Sequence, residues 1–273
     1  MGVVTPDAET RVKQIEEHRR IYEELLEKYK VDPHSNKELD TDINNPLSTS
    51  DQSPWLQFFQ NADLEKEILQ DVERTYPEFE FFQIESIKQM MLRILFIYAR
   101  QHPDITYKQG MHEILAPLIF VFYREQINND KPVNSDQEFE YMLSSKYLEH
   151  DAFTLFSHIM KYLKDYFIIN TRTKDKDGNN SESEEESPVV KKCKYIQGVI
   201  LREKDPELHA HLTKLNIEPH YYMLRWVRLL GGREFHLEDL LLLWDGLFAY
   251  NADLSLIDYI CVAMLLFVRN DCK

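Results

Sequence analysis

Two short segments carry residue types whose spacing can do chemistry. The first is Ile68-Leu-Gln-Asp71-Val-Glu-Arg74. Three residues advance a helix by about 300°, so Ile68, Asp71 and Arg74 follow one slowly drifting track. Ile68 can anchor that track in a core, Asp71 can hold a guanidinium, and Arg74 can project from the helix end. Read alone, the segment is first an i, i+3 ion pair on a solvated face, worth about a few tenths of a kcal/mol. The second is Tyr107-Lys-Gln109-Gly110-Met111, which follows the break at His102-Pro103 and opens an apolar helix expected over Lys108 to Arg124. Gln109 then falls in the first helical turn, at the positive end of the dipole, where an anion is favoured. A primary amide there can orient a water beside a phosphate, and Gly110 would let another chain's backbone come close. Read alone, this is first a polar residue satisfying a helix N-terminus beside a packing glycine.

The periodicity supplies helices to position these residues. Ala8 to Lys30 is charged, with a sparse apolar stripe of Val12, Ile15, Ile21, Leu25 and Tyr29. Val31 to Pro54 is polar and expected to be a long loop with one apolar tip, Pro46-Leu47. Trp55 to Phe59 suggests a short helix. Asn61 or Asp63 then caps another, carrying Leu64, Ile68 and Val72 and ending near Thr75-Tyr76, because Pro77 restricts the residue before it. Ile84 to Gln101 is amphipathic through Ile84, Ile87, Met91, Ile94, Leu95 and Tyr98. Asp151 is expected to cap a helix that turns Phe153, Phe156, Ile159, Met160 and Leu163 inward. Around 170–188 the composition becomes Thr, Lys, Asp, Asn, Ser and Glu, which predicts a flexible, disordered acidic insertion. Helices resume near Val189, with Asp205-Pro206 and Pro219 as N-terminal signals and Gly231-Gly232 as a stop. Leu237 to Phe248 and Leu254 to Arg269 complete the pattern. No run alternates as a strand does. The expected fold class is all-α: a helix and polar loop over residues 1–54, then one domain over 55–273.

Composition excludes several functions. The 273 residues are 43% hydrophobic, ample for a core. Net charge is 32 − 47 = −15, which argues against nucleic acid or anionic lipid as a partner. With only 7 glycines and neither phosphate-loop fingerprint, the chain has little raw material for a glycine-rich phosphate loop. Three cysteines, Cys193, Cys261 and Cys272, lie in no zinc-like spacing and suit a reducing compartment. The longest apolar runs are about half the roughly 20 residues of a membrane span, so no transmembrane segment is expected. His209-x-His211 and His112-Glu113 are expected to be surface or capping histidines rather than metal ligands. Cys193, Cys261, Trp226 and Trp244 are expected in the core. The acidic serine run 181–187 is first a solubilising loop, with phosphorylation as the alternative.

Together the two segments resemble a known family. Ile-x-x-Asp-x-x-Arg followed by Tyr-x-Gln-Gly-Met is similar to the paired signature of the TBC domain, the Rab GTPase-activating fold. The likeness continues in Arg225-Trp226-Val-Arg228, Arg233-Glu234-Phe235 and Leu243-Trp244-Asp245-Gly-Leu-Phe248. The resemblance implies an all-α Rab-GAP fold in which Arg74 is an arginine finger and Gln109 a glutamine finger. It implies that Asp71 and Tyr107 support them, with Ile68 and Gly110 as motif neighbours. It also implies a Rab partner that brings the Mg²⁺ and GTP, so the chain needs no cofactor of its own and acts as an activator rather than as an enzyme. Asn44 to Ser48, Tyr147 to Ala152 and Tyr107 to Glu113 look like a subfamily associated with retromer and late-endosomal Rabs. That likeness implies cytoplasmic protein recruited to endosomal membranes and makes Pro46-Leu47 a retromer-docking tip. The Arg-x-x-x-Trp element usual ahead of the first motif is missing. The expectation is therefore a TBC domain with truncated N-terminal and incomplete C-terminal helices, the alternative being a weak or inert module that binds Rab or retromer as a scaffold.

Overall fold

A computed structural model describes residues 3–30, 45–46, 53–129, 141–168, 186–251 and 253–270. Every regular element among them is helical, as the periodicity predicts. The expected insertion lies outside the described residues up to 185, and Leu47 and Cys272 also lie outside them. Pro46 is described and exposed. The chain divides into two compact units, Val3–Ser157 and His158–Lys273.

In the first unit, α1 (Ala8–Tyr29) starts where the Asp7 carboxylate accepts from the Thr10 amide at 3.0 Å. Its inward stripe differs from the apolar one expected. Ile21 is exposed, while Tyr22 and Arg19 are buried. Arg19 is tolerated there because it is fully partnered. Nε and Nη2 reach the Asp151 carboxylate at 2.8 and 2.6 Å, and Nη2 also donates to the Met142 carbonyl at 3.0 Å. This bidentate pair also corrects the role expected of Asp151. The carboxylate lies inside the helix Leu148–Leu163, labelled α6, and holds Arg19 rather than capping the helix. Phe153, Phe156, Ile159, Met160 and Leu163 are buried as expected.

One uninterrupted helix, α2 (Pro54–Glu73), replaces the two expected over Trp55 to Thr75. Neither Asn61 nor Asp63 caps anything, and Asn61 is buried mid-helix. No Gly or Pro follows Pro54, and the weak helix propensity of Asn and Asp costs under about 1 kcal/mol each, too little to break a helix with a buried face. Ile68 and Val72 lie on that face, and the backbone leaves the helix at Arg74. A short α3 (Glu80–Gln83), which no periodicity announces, is held by aromatic packing of Phe82 on Tyr76 and of Phe81 on Phe120. Ile84 is exposed as the N-cap of α4 (Glu85–Gln101), not inward. The rest of the predicted α4 face (Ile87, Met91, Ile94, Leu95, Tyr98) is buried, and α4 packs on α2. Next comes α5 (Met111–Asn129), helical through Pro117 and buried almost all round at its start.

In the second unit, α7 (Pro188–Tyr195) runs through a π-helical turn, Ile196–Leu201, into α8 (Arg202–Lys204). The predicted cap is present: Asp205 accepts from the Leu208 amide at 2.9 Å and Pro206 opens α9 (Pro206–Lys214). Pro219 instead holds the capping position of α10 (His220–Arg228), one residue ahead of the helix. Leu230 and Gly231 then turn the chain at φ 49° and 81°. A Cβ on Gly231 would meet the Phe235 ring at 3.1 Å, so glycine is required there. In α11 (Leu237–Tyr250), Trp244 is buried and donates its indole N–H to the Leu230 carbonyl at 3.0 Å. Trp226 is half-buried rather than fully in the core. Cys261, on α12 (Leu256–Phe267), is fully buried. So is Cys193, whose thiol burial pushes up to about 12.

Candidate functional site

The first unit brings most of the chemistry-bearing residues together. Ile68 is fully buried and pins the last turns of α2. Three residues on, Asp71 faces the same way with its side chain 10% exposed, and Arg74 stands at the C-cap with its side chain 51% exposed. Arg74 Nη2 donates to Asp71 Oδ1 at 2.5 Å. With one partner half in water, this pair contributes little stability. Its effect is orientation: a guanidinium gripped by a buried carboxylate keeps its remaining N–H groups pointed outward.

Tyr107 closes the other side of that carboxylate. Its hydroxyl donates to Asp71 Oδ2 at 2.6 Å, and the side chain is buried. Burial, then the bond to Asp71, pushes the phenol far above its ordinary value, so it remains a donor throughout the physiological range. Asp71 thus accepts from Arg74 on one oxygen and from Tyr107 on the other. Thr75, also buried, donates from Oγ1 to the Asp71 carbonyl at 3.0 Å and ties off the helix end.

The structure corrects the expected place of Gln109. Helix α5 starts at Met111, so Gln109 lies in the turn before it, not in its first helical turn. The reason is Gly110, at φ 104°, a conformation that no residue inside an α-helix adopts. The turn is closed by the Met111 amide donating to the Lys108 carbonyl at 3.1 Å. Gly110 is therefore required by its own backbone, a different reason from the approach of another chain. Gln109 is exposed, two residues beyond the buried Tyr107. Backbone strain brackets both segments: Tyr76 at φ 39° follows the first and Thr106 at φ 51° precedes the second. Non-glycine residues in such conformations cost on the order of 1–3 kcal/mol each and collect at functional sites.

His112, expected at the surface or at a cap, is 1% exposed instead. Its Nδ1 lies 2.9 Å from the Tyr107 hydroxyl and 3.5 Å from Asp71 Oδ2. Its place in an apolar run was the available signal: from Gly110 through Ile119 every residue is buried. Thr75 has a weaker signal, a hydroxyl four residues after Asp71. Pro46, exposed, makes no part of this cluster, and Leu47 lies outside the described residues.

Comparison with known proteins gives this cluster its family. The Rab-GTPase-TBC domain profile matches residues 16–272. TBC1 domain family member 5 of Homo sapiens is 39% identical over 286 aligned residues, which cover 98% of this chain and 36% of that protein. TBC1 domain family member 5 homolog B of Dictyostelium discoideum is 33% identical, with 94% of this chain and 34% of that protein covered. The chain belongs to the Rab-GTPase-TBC domain family. It spans about a third of the length of these curated relatives. The crystal structure of the Ypt/Rab-GAP domain of Gyp1p shares its fold, with a TM-score of 0.65 at 17% identity over 96% of this chain and 70% of that one. Among the described residues, no helix is long and apolar enough to cross a membrane.

Proposed function

We propose that this chain accelerates GTP hydrolysis by a Rab small GTPase, supplying Arg74 and Gln109 in trans. A GTPase alone is slow because charge on the transferring phosphoryl group is poorly stabilised and the attacking water poorly held. An arginine delivered by a partner is worth roughly 10³–10⁵ in rate, or about 4–7 kcal/mol of barrier. The observation that carries the reading is the Arg74–Asp71–Tyr107 chain. A half-exposed guanidinium is held by a buried carboxylate that a permanently protonated phenol holds in turn. Such preorganisation lets the cation act without reorganising as charge develops. Gln109, exposed on its turn, orients the water with its amide, the role that a GTPase glutamine otherwise fills. Mg²⁺ and GTP are the Rab's, and the chain contributes only side chains.

The finer reading is a late-endosomal Rab as partner, retromer as a second partner through Pro46-Leu47, and peripheral recruitment to endosomal membranes. It is supported by the subfamily-like segments Asn44 to Ser48 and Tyr147 to Ala152 and by the relatives named above. A single-turnover assay across a Rab panel tests the activity, with Arg74→Ala and Gln109→Ala beside wild type. Stimulation lost in both variants is the expected result. Rab binding without stimulation by the wild-type chain would make it an inert scaffold instead.

A further inference from the structure

The two-finger reading leaves one buried group of the site without a task, and the inference drawn from it rests on that reading. His112 opens α5 with its ring enclosed: Nδ1 faces the Tyr107 hydroxyl at 2.9 Å, Asp71 Oδ2 at 3.5 Å and the Gly110 amide at 3.4 Å. Nε2 lies 3.2 Å from Glu113 Oε1. The Tyr107 hydroxyl has one proton, and the shorter contact, 2.6 Å to a carboxylate, takes it. The Gly110 amide N–H donates to His112 Nδ1 at 3.4 Å, so one ring nitrogen meets both the Tyr107 hydroxyl and the backbone of the turn.

We propose that His112 is a positioning residue for both fingers. Its Nδ1 lies against the Tyr107 hydroxyl that holds Asp71 and so Arg74, and the same nitrogen accepts from the Gly110 amide in the turn that presents Gln109. Two segments more than thirty residues apart in sequence thereby share one support. A tyrosine alone could rotate its hydroxyl about the ring bond, and the ring nitrogen beside the oxygen limits that freedom.

The test is the Rab concentration dependence of stimulated hydrolysis for His112→Leu and His112→Asn, with Arg74→Ala as control. Leucine keeps volume and loses the polar atom, whereas asparagine can place a carboxamide near the position of Nδ1. His112→Leu is expected to lower kcat about fivefold at unchanged KM, and His112→Asn to stay within about twofold of wild type. In a Tyr107→Phe background, His112→Leu is expected to cost less than in the wild-type chain, because only its bond to the Gly110 turn is left to remove. Equal losses for leucine and asparagine, or a full leucine effect in that background, would reduce His112 to packing. Should His112→Leu fail to fold, histidine ¹⁵N spectra of Tyr107→Phe beside the wild-type chain decide: the His112 Nδ1 resonance is expected to shift when the hydroxyl is removed, and an unshifted resonance overturns the proposal. If Arg74→Ala abolishes stimulation while His112→Leu keeps it, the inference alone fails. Unchanged activity of Arg74→Ala would remove the finger reading and with it anything for His112 to position.

Discussion

Arg74 and Gln109 stand on different kinds of support. Arg74 ends a helix of 20 residues, and side chains from two segments grip it through Asp71 and Tyr107. Gln109 is held by backbone: a turn that Gly110 makes possible at φ 104°, entered from a buried tyrosine. The contrast matches what each residue is proposed to do. A cation meeting developing negative charge gains from a fixed counter-carboxylate behind it, which stops it folding back or wandering. An amide that orients a water needs no charge behind it, only a fixed point of attachment. Side-chain support fails by degrees as single bonds are removed, whereas backbone support fails when one conformation becomes inaccessible.

The largest effect should come from removing the cation. Arg74→Ala is expected to lower stimulated hydrolysis at least about 10²-fold, with an unchanged circular dichroism spectrum. Arg74→Lys should fail nearly as badly, since an ammonium cannot reach Asp71 and a phosphoryl oxygen with one planar fork. Next comes the backbone support. Gly110→Ala is expected to cost about 30-fold in rate and about 1 kcal/mol in stability, because a Cβ disfavours φ 104° and the turn must shift. A smaller loss, about tenfold, is expected for Tyr107→Phe, which frees one oxygen of Asp71 but leaves Arg74 its own bond. If Tyr107→Phe proved worse than Gly110→Ala, the division between side-chain and backbone support would be wrong. The smallest effect on hydrolysis, none, is expected for Leu47→Glu, which should instead abolish retromer binding in a calorimetric titration by burying an unpaired carboxylate. Undiminished retromer binding would refute the docking role.

The all-α class and most helix boundaries are legible in the sequence because they rest on local signals: apolar periodicity, Pro103 and Pro206, the Asp205 cap. The Ile68–Asp71–Arg74 track is equally local, set by helical geometry. Two of the misses concern polar groups whose surroundings come from distant residues. Arg19 has no distinguishing sequence signal, and its place is set by Asp151, 132 residues away, which gives it a bidentate partner. His112 reads as a surface group until Tyr107 and Asp71 enclose it. Asn61 reads as a cap because its propensity says so, yet α2 carries it inside a continuous helix. Gln109 was displaced from the helix by its neighbour's φ, which the glycine permitted but did not announce.

The central claim is that both catalytic groups come from this chain. It is tested most directly by single-turnover hydrolysis on a Rab whose own glutamine has been replaced by alanine. Stimulation by the wild-type chain should persist on that Rab and should vanish with either Arg74→Ala or Gln109→Ala. Stimulation that disappears with the Rab glutamine, and that ignores Gln109→Ala on the intact Rab, would contradict it.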